Sequence, residues 1–188
     1  MLGEYMAKIM FIRHAEKPVT GIAGVELSGA ADKEDLIVLG WQRAGALVRF
    51  FAPHDTASLA PGIATPATLF AASAASPDSS LRPEHTVLPL SQVLGITTDT
   101  TIAKKDKKAL AAAAVAAAAK GPVLVAWQHQ DIPDLVDKVA GSKVAPKPWP
   151  GDRFDMVWVL DQAPGATAWT FSQVPQLLLA GDSAQPIT

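Results

Sequence analysis

Two places in this 188-residue chain put groups capable of chemistry at the end of an apolar run. The first is Ile9-Met10-Phe11-Ile12, which stops at Arg13-His14. The second is Val123-Leu124-Val125-Ala126-Trp127, which stops at Gln128-His129-Gln130-Asp131. Short continuous apolar runs fit strands buried on both faces. Pro18 disfavours helix at Lys17, so the first strand leaves as a loop. A cation and an imidazole therefore stand together at the carboxyl end of a buried strand, where open α/β sheets bind ligands. The formal net charge is −2, which argues against a general nucleic-acid binder. If anions bind, a local cluster must hold them.

The elements around these runs alternate. Ala44, Leu47, Val48 and Phe51 recur at helical spacing, predicting a helix over 41–51 that Pro53 ends. Residues 68–73 read as a second strand. A helix from 81 to 95 has Ser80 as N-cap and Pro83 in its first turn, with an irregularity expected at Pro89. Thr-rich residues 96–102 read as an edge strand. The Ala-rich helix over 105–120 ends at Gly121-Pro122. A short helix follows Pro133, and strands are expected over 154–160 and 166–171. Residues 19–33, 61–66 and 140–151 read as loops. Strands alternating with helices predict βαβ units and a mostly parallel sheet whose carboxyl ends share an edge. Arg13-His14 and His129 are then expected to face one crevice.

Composition sets outer bounds. A hydrophobic fraction of 49% and a charged fraction of 18% describe a globular chain. With no Cys there is no disulfide, thiol nucleophile or Cys-ligated zinc. Ala111–Ala119 is too short and too weakly apolar for a membrane span, and Met1–Met6 carries no secretory pattern. One domain over 6–180 is expected, with residues 1–5 and 181–188 as tails, Met6 as an alternative start, and a cytoplasmic location.

Phe11-Ile12-Arg13-His14-Ala15-Glu16 resembles the Arg-His-Gly/Ala signature of the histidine phosphatase, or phosphoglycerate-mutase-like, superfamily. Arg82-Pro83-Glu84-His85-Thr86 resembles its Arg-x-x-x-Thr helix start, and Trp127-Gln128-His129 its second His after a buried strand. Leu39-Gly40-Trp41-Gln42-Arg43-Ala44 is similar to its Gly-x-Gln-Ala helix start, with Arg43 inserted. The resemblance implies a three-layer αβα sandwich of the phosphoglycerate-mutase-like type. It also implies a phosphomonoester or phosphohistidine hydrolase without metal or cofactor. The implied nucleophile is His14, through a phosphohistidine. Arg13 and Arg82 would clamp the phosphate dianion with planar, permanently charged forks, and His129 would donate to its equatorial oxygens. Neighbouring cations should depress the pKa of His14 and keep it neutral.

The proton donor is the point of departure. Mutase-like members carry a Glu after the second Arg, whereas between Arg82 and His129 this chain has only Glu84, Asp99 and Asp106 as acids. Asp131, two residues beyond His129, is the preferred candidate. Glu16 is the other, also as a substrate contact. Asp131 is as readily an N-cap for the following helix. His85 and the Lys cluster 104–108 read as surface groups. The expected partner is a phosphorylated small molecule or phosphoprotein, with neither nucleic acid nor membrane. The alternatives are a mutase-type phosphotransferase and a non-catalytic phospho-ligand binder.

Overall fold

The computed structural model describes residues 6–74 and 80–188. Strand β1 (Ala7–Arg13) runs through the middle of a five-stranded sheet of order β2-β3-β1-β4-β5. The others are β2 (Thr68–Ala71), β3 (Val123–Trp127), β4 (Met156–Gln162) and β5 (Thr170–Pro175). β1 pairs with β3 in parallel, as β3 does with β2, while both pairings of β4 are antiparallel. Four strands thus share one direction and β4 opposes them, which makes the sheet mixed.

The two-residue period of the strands divides their side chains between two cores. Ile9 and Phe11 of β1, Val123, Val125 and Trp127 of β3, and Met156, Trp158 and Leu160 of β4 face one side. There they meet α3 (Lys107–Ala118) and α4 (Ile132–Ala140). Met10, Ile12, Leu124, Ala126, Val157 and Val159 face the other side. They pack against α1 (Val38–Phe51) and α2 (Arg82–Leu94) through Leu47, Phe51, Val87 and Leu90. Burial on both faces explains why β1 and β3 read as unbroken apolar runs rather than alternating ones. The result is a three-layer αβα sandwich. No helix among the described residues is long and apolar enough to cross a membrane.

Several elements differ from their expected bounds. α1 starts at Val38 rather than 41, because Gly40 lies inside the helix, packed on the β1 exit. A Cβ at Gly40 would come within 2.6 Å of the Glu16 carbonyl oxygen. α2 begins at Arg82 after Leu81, and no side chain caps it, so Ser80 is not its N-cap. The helix continues through Pro89, which has no N–H to offer the carbonyl of His85. Residues 96–102 form no strand. Asp99 makes one bridge with Phe70 at the edge of β2, and its carboxylate then binds the amide and hydroxyl of Thr101. That local turn competes with a ladder. β4 and β5 sit later than expected, at Met156–Gln162 and Thr170–Pro175, and the turn at Gly165 (φ +73°) lies between them. Most of the small, polar stretch 74–80, which reads as a loop, and the tail expected at 1–5 lie outside the described residues.

Residues 181–188, expected as a tail, lie against the body. Asp182 pairs with Arg43 at 2.7 Å, and the Ser183 amide donates to Asp155 at 2.6 Å. Arg153 donates to the Gln185 carbonyl, and the Ile187 side chain is buried against the α3/α4 face. Deleting residues 183–188 should therefore cost about 2–4 kcal/mol, from one buried aliphatic side chain and several hydrogen bonds. A thermal melt followed by circular dichroism should show Tm falling by roughly 5–15 °C. An unchanged Tm would mean that this segment contributes no stability.

Candidate active site

β1 and β3 are adjacent and parallel, with Arg13 opposite Trp127. The pairing extends one step further, as the His14 amide donates to the Trp127 carbonyl at 2.8 Å. His14 and Gln128-His129 therefore leave the sheet side by side. The next amide, Ala15, donates to Thr86 Oγ1 at 2.8 Å, and that hydroxyl donates to the Arg82 carbonyl at 2.6 Å. Thr86 is fully buried. One hydroxyl thus fixes the β1 exit to the first turn of α2, and so sets Arg82 relative to His14.

His14 is 6% exposed, and its Nδ1 lies 2.8 Å from the Ala15 carbonyl. A carbonyl only accepts, so Nδ1 carries the hydrogen and Nε2 keeps a free lone pair. Burial pushes the His14 pKa down to about 3; the Ala15 bond opposes this, while Arg13, Arg82 and His129 reinforce it. The imidazole is neutral at pH 7.

A cavity of about 130 Å³ opens at His14, with Arg82, His129, Gln128, Gln130, Lys17 and Lys104 in its wall. Arg82 donates through Nη1 to the Lys33 carbonyl at 3.2 Å, and its Nε is buried without a partner. His129 has a buried Nδ1 without a partner. Burial, then Arg13 and Lys17, push its pKa down to about 4. Arg13 is 1% exposed and does not line the cavity. Its Nη1 donates to the Gly151 carbonyl at 2.7 Å and its guanidinium lies 3.7 Å over the Phe154 ring, while Nε and Nη2 have no partner. Burial lowers the Arg13 pKa to about 10. Arg82 and His129, each with an unmet nitrogen, thus share one cavity with His14, and Arg13, with two unmet nitrogens, lies close enough for its charge to act on the imidazole. Buried donors without acceptors are costly, and a multiply charged oxyanion would satisfy them together.

Two residues expected at this site are engaged elsewhere. Glu16 turns to α1, where its Oε1 accepts from Arg43 Nε at 2.9 Å and Nη2 at 2.7 Å. Arg43 also binds Asp182 and the Gln176 side chain, so the residue that interrupts the Gly-x-Gln-Ala pattern holds a buried cluster together. Burial alone would lower the Arg43 pKa, but the Asp182 and Glu16 bonds outweigh it and raise it. Asp131 accepts from Lys107 at 3.1 Å and from the Gln128 amide, and it does not line the cavity. It makes no side-chain N-cap bond either. Its link to the site runs through Gln128.

Two further groups have surroundings that differ from the expected solvent-facing ones. His85 is no free surface residue: its Nδ1 lies 2.8 Å from the buried Asp35 carboxylate and its ring packs on Trp41. Lys104 lines the cavity rather than only preceding a helix. No local pattern signals this, because the segment before α3 reaches the site by running along the edge of β2. Lys17 could have been suspected from its position three residues after His14.

No family model matches the chain, and no curated protein matches it. The fold is the phosphoglycerate-mutase-like α/β sandwich, as comparison with solved structures shows. The product of open reading frame Rv3214 from Mycobacterium tuberculosis is 10% identical with a TM-score of 0.51, and the match covers 91% of this chain and 97% of that one. The mycobacterial glucosyl-3-phosphoglycerate phosphatase Rv2419c is 13% identical with a TM-score of 0.51, covering 89% and 98%.

Neutral burial of His14 has a consequence for stability. Its folded pKa, about 3, lies below the unfolded value of about 6.5, so the unfolded chain binds the proton first as pH falls. The stabilisation is complete above about pH 6.5 and is lost progressively on the way down to pH 3. At pH 4.5 the loss should be on the order of 2–3 kcal/mol. Urea unfolding at pH 7 and pH 4.5 should show a smaller difference in His14→Asn than in wild type. An equal difference would show that His14 titrates normally.

Proposed function

We propose that this protein is a phosphohydrolase that works through a phosphohistidine at His14. The observation that carries the reading is the neutral, buried imidazole of His14 in one cavity with the unpartnered nitrogens of Arg82 and His129, within reach of the Arg13 charge. The shared fold with a mycobacterial sugar-phosphoglycerate phosphatase supports it. Arg13 and Arg82 neutralise the phosphoryl oxygens and hold phosphorus in line. Nε2 attacks phosphorus and the leaving oxygen takes the P–O electron pair. His129 donates an N–H to the charge on the equatorial oxygens. Water then attacks the phosphoryl-imidazole, releasing phosphate and restoring Nε2. Asp131 acts as a positioning residue for Gln128. Glu16, tied to Arg43, holds the β1 exit rather than delivering a proton. The chain acts on a phosphorylated small molecule or a phosphoprotein.

A non-catalytic phosphate binder would use the same nitrogens, so turnover is the deciding measurement. Wild type should hydrolyse para-nitrophenyl phosphate and, on rapid quench, carry an alkali-stable, acid-labile phosphoryl label. His14→Ala should lose the label and more than about 10³-fold in kcat/KM. Corrected for substrate ionisation, the acid limb of kcat/KM should lie near pH 3–4 rather than ~6.5, because the nucleophile stays unprotonated down to its lowered pKa. An active His14→Ala would remove the nucleophile assignment. Phosphate binding by wild type without turnover or label would favour the binder.

A further inference from the structure

A phosphoryl-imidazole breaks down when water meets phosphorus in line with the P–N bond. A phosphoryl group on His14 extends into the cavity, so its open face is turned away from the buried ring and water reaches it from the cavity. A neutral water attacks well only if an acceptor on the wall takes one of its hydrogens and fixes its direction. Among the described residues no carboxylate lines the cavity, and the side-chain acceptors of its wall include the amides of Gln128 and Gln130. Gln130 is exposed, whereas Gln128 is half-buried and held from outside the cavity. Its Nε2 donates to Asp131. A carboxylate paired with a lysine only accepts, so the nitrogen branch of the amide faces Asp131. Oε1, the other branch, is thereby turned away from Asp131, which does not line the cavity. Asp131 is fixed in turn by Lys107 of α3 at 3.1 Å. The Gln128 main chain is pinned as well, because its carbonyl accepts from the Asp131 and Ile132 amides at 3.1 and 3.3 Å.

We propose that Gln128 is a catalytic residue of the second half-reaction: its Oε1 accepts a hydrogen from the water that hydrolyses the phosphohistidine and aims that water at phosphorus. Asp131 and Lys107 are positioning residues behind it. This rests on the phosphohydrolase reading and deepens it. The water oxygen bonds to phosphorus as the P–Nε2 bond breaks, and that electron pair returns to Nε2. Both water protons go with the new phosphate, one of them passing on to solvent. Gln128 stays neutral throughout, since a carboxamide orients a water without taking its proton. The first half-reaction, in which Nε2 attacks and the leaving oxygen departs, makes no use of the amide.

The test separates the two half-reactions in wild type, Gln128→Met and Asp131→Ala, with para-nitrophenyl phosphate as the probe and rapid quench to follow the phosphoenzyme. Gln128→Met keeps the reach of the side chain and removes the acceptor. Decay of the phosphoenzyme should slow by about 10–100-fold in Gln128→Met. In Asp131→Ala, where the amide remains but loses its hold, decay should slow by roughly threefold or more. The nitrophenolate burst should keep its rate within about threefold, so kcat and KM fall together and the labelled fraction at steady state rises. Equal decay in wild type and Gln128→Met overturns the proposal, and so does a loss confined to the burst. Should Gln128→Met fail to fold, as seen by circular dichroism, Asp131→Ala decides: decay as fast as in wild type overturns the proposal. If neither wild type nor any variant ever carries the label, the phosphohistidine reading itself falls.

Discussion

The hydroxyl of Thr86 is the contact on which the site depends. It accepts from the Ala15 amide and donates to the Arg82 carbonyl, and it is fully buried. The Ala15 amide lies just past the β1 ladder and the Arg82 carbonyl opens the first turn of α2, so the two elements meet at this hydroxyl. One side chain satisfies a group on each and so locks their separation. The guanidinium of Arg82 and the imidazole of His14 inherit that separation. Only a side chain able to give and take at once, short enough to sit between two backbones, serves here.

Around this lock the protein manages buried charge in two opposite ways. Arg43 is surrounded by acceptors from Glu16, Asp182 and Gln176, so its burial is compensated and its proton held more tightly. Arg13 and Arg82 keep nitrogens without acceptors, and burial lowers both. Desolvating a cation without a full set of partners costs stability. A compensated arginine cements a wall. An uncompensated one reserves its donors for a ligand. The first kind holds the segment that the second kind works from, because Glu16 stands two residues after His14.

The arrangement also shows how distant segments reach one cleft. β1 and β3 bring their polar ends together because they are adjacent and parallel. Lys104 arrives along the edge of β2, and the segment beyond β5 returns to anchor Arg43 and Arg153. Loop 150–153 supplies carbonyls that hold one side of Arg13. Each is irregular backbone whose path is set by its partners rather than by its own propensity.

Much of this was legible from the amino-acid order. The apolar runs at Ile9–Ile12 and Val123–Trp127 read as doubly buried strands, because burial on both faces leaves no room for alternation. Their abrupt polar ends then marked Arg13-His14 and His129, and the strand-helix alternation placed them on one edge. Tertiary structure alone decided the rest. Whether an acid faces a cavity or an arginine depends on what lies across from it. Glu16 and Asp131 found Arg43 and Lys107, residues 27 and 24 positions away in the chain. The ordered path of residues 181–188 depends on Arg43 and Asp155 in the same way. Local periodicity reports how an element folds and which face it buries. It carries no record of which distant side chain will complete a pair, since that choice is made only when the layers close.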